Sequence, residues 1–166
     1  MKEAVGQTIS LEVILVFMIF LNAFLAFSVN YTKAFRVKNK VINAIEQYEG
    51  ITPSTKTAID NYIKTVGYSV TTKSGEKDWR NGVKVEAKCV GPVGGTTSSN
   101  SCKNPVKGTK YKVYYSVTTV ISFNVPIIGP VLKTITSDVN LLQVNGDTSI
   151  IYIDGKNLND KMGWTQ

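Results

Sequence analysis

Residues Leu11–Val29 read LEVILVFMIFLNAFLAFSV, with one carboxylate, Glu12, near the start. From Val13 to Phe27 only Asn22 is polar. Counted from Thr8 to Val29, a helix of this length rises about 33 Å, enough to cross the hydrocarbon core of a bilayer. The competing reading is a buried helix of a soluble protein. Such a helix would be apolar all round and need enclosing on every side, and a chain of 166 residues leaves little to enclose it with. A membrane span over 11–29 is therefore expected, behind a short polar lead-in over residues 1–10.

Beyond Val29 the pattern turns amphipathic. Ala34, Val37, Val41, Ala44 or Ile45, and Tyr48 recur at three- and four-residue spacing, while Lys33, Arg36, Lys38, Lys40 and Glu46 take the other faces. Neither Gly nor Pro interrupts before Gly50, a residue suited to a helix C′ position. The span is expected to continue as one rod to about Glu49, with residues 30–50 as a stalk. Thr52 as N-cap and Pro53 at the first helical position open a second, short helix. Its stripe is Ala58, Ile59, Tyr62, Ile63 and Val66, and Gly67 ends it.

From Tyr68 the period becomes two. Tyr111, Val113, Tyr115, Val117, Thr119, Ile121, Phe123 and Val125 share one face of a strand over Lys110–Val125, with Tyr114 and Val120 as exceptions to the alternation. A shorter strand alternates Val83, Val85, Ala87 and Cys89 with lysines and a glutamate, and Val131–Val144 and Ser149–Asp154 read as further strands. Asn81-Gly82 and Asn145-Gly146 read as hairpin turns. Pro126 to Pro130 is a turn, and its prolines with the neighbouring polar residues argue against a second span over Val117–Ile135. The fold class expected is α+β: a long N-terminal helix, apolar then amphipathic, packed on an antiparallel β domain, with residues 51–166 forming the short second helix and the sheet.

Composition excludes more chemistry than it offers. The net charge is +7, but the lysines are scattered over solvent-facing positions, so a solvated basic surface is expected and no specific nucleic-acid partner. Histidine is absent, which removes the commonest general base and the commonest metal ligand. A serine or cysteine nucleophile would lack its usual partner, so no enzyme is expected. Glu76, Asp78, Asp147, Asp154 and Asp160 read as turn or tail residues. Asp154–Asp160 is rich in oxygen ligands but lacks the spacing and closing glutamate of a calcium loop, so neither metal nor cofactor is expected.

Lys2 in a short leader, then Gly6, then Gln7-Thr8-Ile9-Ser10-Leu11-Glu12 lead directly into an unbroken apolar helix. This junction resembles the N-terminus of the type IV pilin and pilin-like (TadE-like, Tad pilus) family. The resemblance implies cleavage between Gly6 and Gln7 by a prepilin peptidase. It also implies pairing of an acidic residue, here Glu12, with the N-terminal amine of a neighbouring subunit. Glu12 would be the sixth mature residue where the family has the fifth, and Val5 stands where a basic residue is usual. Read without the family, Glu12 either snorkels to the interface or meets a cation.

Cys89 and Cys102 flank a Gly-, Ser- and Thr-rich loop, Gly91–Asn100. Outside the cytoplasm such a pair suggests a disulfide, worth about 3 kcal/mol in the chain-entropy model. The alternatives are a free core thiol at Cys89 with an unrelated Cys102, or half of a metal site, which the lack of His and of further Cys disfavours. The four cations after the span would by the positive-inside rule keep the β domain in the cytoplasm. The cysteine pair and the resemblance place it outside, which is the expectation adopted. Two functions follow from the sequence. One is a pilin, minor pilin or pseudopilin that assembles with copies of itself or with related subunits into a surface filament or secretion pseudopilus. The other is a single-pass anchor displaying an extracytoplasmic binding or adhesion module.

Overall fold

The computed structural model describes residues 2–68, 79–95, 102–121 and 143–164, with side chains from residue 9 onward. The expected turn at Pro126–Pro130, the strand segment 131–142, the acidic pair Glu76 and Asp78, and the middle of the loop between the cysteines lie outside these residues. Helix α1 runs unbroken through Lys2–Gln47, 46 residues or about 69 Å. It therefore includes the lead-in, the apolar run and the stalk. Helix α2 follows at Pro53–Val66. Among the described residues five strands come next: β1 (Trp79–Arg80), β2 (Val83–Pro92), β3 (Lys110–Val120), β4 (Gln143–Asp147) and β5 (Ile151–Asp154). A 3-10 turn, Gly155–Asn157, leads into the five-residue helix α3 (Leu158–Met162).

The expected α+β architecture, a long N-terminal helix on an antiparallel sheet, is the one observed. Strands β1, β2 and β3 are antiparallel neighbours in that order, and β4 and β5 both pair with the far edge of β3. β4 and β5 together form one strand interrupted by a bulge. Three residues, Thr148–Ile150, stand opposite the two β3 residues Tyr114 and Tyr115. Thr148 bridges the gap: the Tyr115 N–H donates to its Oγ1 at 3.0 Å, and its own N–H donates to the Tyr115 carbonyl at 2.9 Å.

The helices cover one face of this sheet. Ala34, Val37, Val41, Ala44 and Ile45 of α1 and Ile59 and Ile63 of α2 are buried against Tyr111, Val113, Tyr115, Val117 and Thr119 of β3 and Val83 and Val85 of β2. The α1 stripe follows expectation up to Ile45. Tyr48 then departs from it and lies exposed, because the chain leaves the helix at Gln47 and Ile51 fills the core instead. Val120, an exception to the strand alternation, is buried like its neighbours. Its N–H and C=O are both bonded to the Tyr68 hydroxyl.

Local signals explain most of the element ends. Thr52 caps α2 in a reciprocal box with Thr55, Pro53 opens the helix, and Gly67 closes it in the left-handed region at φ 62°. Asn81 and Gly82, both at positive φ, form the two-residue turn joining β1 to β2. Asn145-Gly146 is not the hairpin turn expected: both residues lie within β4, opposite Thr118 and Val117, and Asp147 pairs with Ser116. Here the glycine serves close approach. A Cβ on Gly146 would stand 3.0 Å from Ile42 Cδ1 and 3.1 Å from Lys38 Cδ, because α1 crosses directly above it.

Two expected outcomes test this packing. A Cβ at Gly155 would fall 2.2 Å from the Val106 carbonyl oxygen, a backbone atom that cannot rotate aside. Gly155→Ala should therefore lose roughly 2–3 kcal/mol or more in denaturant unfolding. Burial pushes the Tyr68 phenol up to about 12, against a hydrogen bond with the Val120 backbone, and pushes Tyr115 up as well. Unfolded tyrosine ionises near pH 10, so the native state holds the proton longer than the unfolded state does. Stability should be intact below about pH 10 and fall as the pH rises toward 12, by roughly 2–3 kcal/mol for Tyr68 alone. Unfolding curves followed at the buried Trp164 should show this slope, and Tyr68→Phe should flatten it.

Candidate functional site

The surface of α1 divides into two regimes. From Ile9 to Val29 every large apolar side chain except Phe27 is exposed, and Phe27 is half-buried. From Ala34 the inner face is buried under the sheet. Leaving so many Leu, Ile, Val, Phe and Met side chains in water forgoes about 1.5–3 kcal/mol each, on the order of 20–40 kcal/mol together. A domain's whole stability is only about 5–15 kcal/mol. The exposed segment must therefore be covered by something other than this chain's own described residues. α1 is a helix long and apolar enough to cross a membrane, and no residue of its most apolar stretch is buried.

Two of the polar side chains along it bond back to the helix itself. Asn22 Nδ2 donates to the Met18 carbonyl at 2.8 Å, and Thr32 Oγ1 donates to the Ser28 carbonyl at 2.9 Å. Such back-bonding lowers the cost of placing an amide or hydroxyl in hydrocarbon, where an unpaired polar group is expensive. Glu12 is exposed and takes part in no ion pair among the described residues. Gly6 and Gln7 lie in the first turns of the same helix. The structure thus places Gly6, Gln7 and Glu12, the three residues singled out in the sequence, on one continuous helix.

The stalk is fixed to the sheet at three levels. Thr119 Oγ1 donates to the Ala34 carbonyl at 3.2 Å, Gly146 sits beneath Lys38 and Ile42, and Glu46 Oε1 accepts from both the N–H and the hydroxyl of Ser149 at 2.8 Å. Around the exit from the sheet lies an aromatic and basic collar. Tyr31 and Phe35 are exposed, Tyr31 packs on Phe27 with ring centres 6.2 Å apart, and the Lys38 ammonium lies 4.3 Å from the Phe35 ring centre. The aromatic half of this collar was missed in the sequence. Its signal, Phe24, Phe27, Tyr31 and Phe35 at three- and four-residue spacing, merges with the apolar run.

The remaining named residues behave structurally. Cys89 and Cys102 form a disulfide with Cα atoms 6.3 Å apart, beside the bulge in β2 between Cys89 and Gly91. Asp154 caps the turn after β5, accepting from the Lys156 N–H at 2.8 Å, and this bond with that from Gly108 and the nearby lysines holds its carboxyl below the usual range. Among the described residues no three Cys, Asp or Glu side chains gather as metal ligands. Asp60 binds Arg80 and Asn81, tying α2 to the β1–β2 turn.

If the boundary between the two regimes lies near Tyr31, the fragment Tyr31–Gln166 should be a soluble monomer with dispersed amide resonances. The full chain should instead require detergent or lipid. Aggregation of the fragment in size-exclusion chromatography would mean that the buried face of the stalk is incomplete without the apolar segment. No family model, curated protein or solved structure matches the chain.

Proposed function

We propose that this chain is a structural subunit of pilin type. It is held in the membrane by the first half of α1, with its α+β domain outside the cytoplasm, and then packed through the same helix with copies of itself or with related subunits. The product is a surface filament or a secretion pseudopilus. One observation carries the reading: a single unbroken helix offers an apolar surface that no described residue covers and continues into the core of a folded domain. A plain anchor needs an apolar helix, but it has no need for that helix to be one rod with the domain.

Three further features support it. Gly6-Gln7 before the apolar run offers a processing point for a prepilin peptidase, Glu12 is a lone carboxylate with no partner among the described residues, and the Cys89–Cys102 disulfide suits an oxidising compartment. No catalytic step and no cofactor belong to this function.

The test is Glu12→Gln, which keeps shape and hydrogen bonding but removes the charge. If Glu12 pairs with a neighbour's amine in a low-dielectric interface, its loss leaves that cation unpaired, at a cost of several kcal/mol. Expression and membrane insertion should stay unchanged. Crosslinked oligomers in intact cells, and filaments seen by electron microscopy, should fall at least tenfold, with Glu12→Asp intermediate. Equal crosslinking ladders from both proteins would rule out this role and favour a monomeric anchor that displays a binding module.

A further inference from the structure

Between Glu12 and Glu46, helix α1 carries four cations and no carboxylate. Lys38 is nearly buried, its stem over Gly146 and its ammonium against Phe35. The other three, Lys33, Arg36 and Lys40, are three and four residues apart, so they share one face of the helix. Arg36 and Lys40 are exposed, Lys33 is half-buried, and none of the three forms an ion pair among the described residues. The Lys40 ammonium lies 5.9 Å from the Tyr62 ring centre, an attraction that leaves its charge uncompensated.

Their height along the rod decides what they meet. Counted from Val29, the last residue of the apolar run, the Cα atoms of Lys33, Arg36 and Lys40 lie about 6, 10 and 16 Å further along the axis. The polar headgroup layer occupies about 5–8 Å outside the hydrocarbon. Lys33 and Arg36 thus stand in or just above that layer, and Lys40, about 8 Å beyond it, acts on it through its field, within a screening length at physiological salt. Tyr31 and Phe35, both exposed, flank the same level, where aromatic rings settle at a membrane interface.

We infer that Lys33, Arg36 and Lys40 form a binding surface for anionic phospholipid headgroups, which holds the unassembled subunit at a fixed depth with Tyr31 and Phe35 at the interface. The occupant is a lipid leaflet, because the cations continue directly from an apolar span and are complementary to phosphate. The surface rests on the membrane-spanning reading of α1 and is independent of filament assembly.

The full chain reconstituted into phosphatidylcholine vesicles, with trace spin-labelled phosphatidylglycerol or phosphatidylcholine, tests it by electron spin resonance. At low salt the phosphatidylglycerol label should associate with the protein about threefold or more over the phosphatidylcholine label. In 1 M salt, where the screening length shortens to about 3 Å, the preference should vanish. The variant Lys33→Gln/Arg36→Gln/Lys40→Gln should bring the ratio to one with an unchanged far-ultraviolet circular dichroism spectrum. Lys88→Gln/Lys112→Gln, on the sheet, should leave it as in the wild type. A ratio of one in the wild type, or a triple variant that keeps the preference, overturns the lipid surface alone. Release of the wild type from vesicles by alkaline carbonate overturns the spanning reading, and the surface with it.

Discussion

Everything in this molecule depends on one helix serving two environments without a break. A helix can do this because its backbone hydrogen bonds are internal, so the main chain is indifferent to whether lipid, protein or water surrounds it. Only the side chains choose. From Val13 to Phe27 they are apolar on every face save at Asn22, and from Ala34 they are apolar on one. The change is complete where the sheet begins to cover the rod through the hydrogen bond from Thr119 to the Ala34 carbonyl.

The sheet is shaped to hold that rod. A glycine in β4 lets α1 approach at Lys38 and Ile42, and the bulge at Thr148–Ile150 brings Ser149 to Glu46, in the last turn of the helix. Further along, Tyr115 reaches from β3 to the Lys161 carbonyl, and the Ile51 N–H donates to the same carbonyl, so the C-terminal helix closes the end of the stalk. These contacts spread along the buried half of α1 rather than gathering at one point. A rod held at several levels cannot pivot without breaking most of them, so a force or displacement at its apolar end is transmitted to the domain as a whole.

Much of this was legible in the sequence, and the failures have physical causes. The apolar run, the stripe from Ala34 to Ile45, the Thr52 cap with Pro53 and Gly67, the alternation through β3 and the cysteine pair all depend on local pattern, and all were found where expected. Asn145-Gly146 misled because the dipeptide that favours a turn also suits a place where another element passes close overhead, and only the position of α1 separates the two. Tyr48 misled because spacing continues past the point where a helix ends. The collar was half visible: its lysines and arginine stand out, whereas its aromatics dissolve into the apolar run. Which face they occupy depends on the azimuth at which the sheet grips the stalk, and that is a tertiary fact.

Lipid tails are about as apolar as leucine, so moving the apolar half of α1 from a bilayer into a bundle of like helices gains little hydrophobic free energy. In the proposed assembly the balance between free subunit and filament must therefore rest on side-chain packing and on the polar groups along the rod. Asn22 and Thr32 are already bonded to their own helix and change little between the two states. Two terms remain, at opposite ends of the apolar run. On the proposed reading Glu12 gains a partner on assembly, whereas the basic face at Lys33, Arg36 and Lys40 meets its counter-charge in the membrane. The first favours the filament and the second the bilayer, and the rigidity of the helix between them makes the two exchanges a single event. On the proposed reading, such a subunit stays in the membrane until a neighbour offers Glu12 a cation.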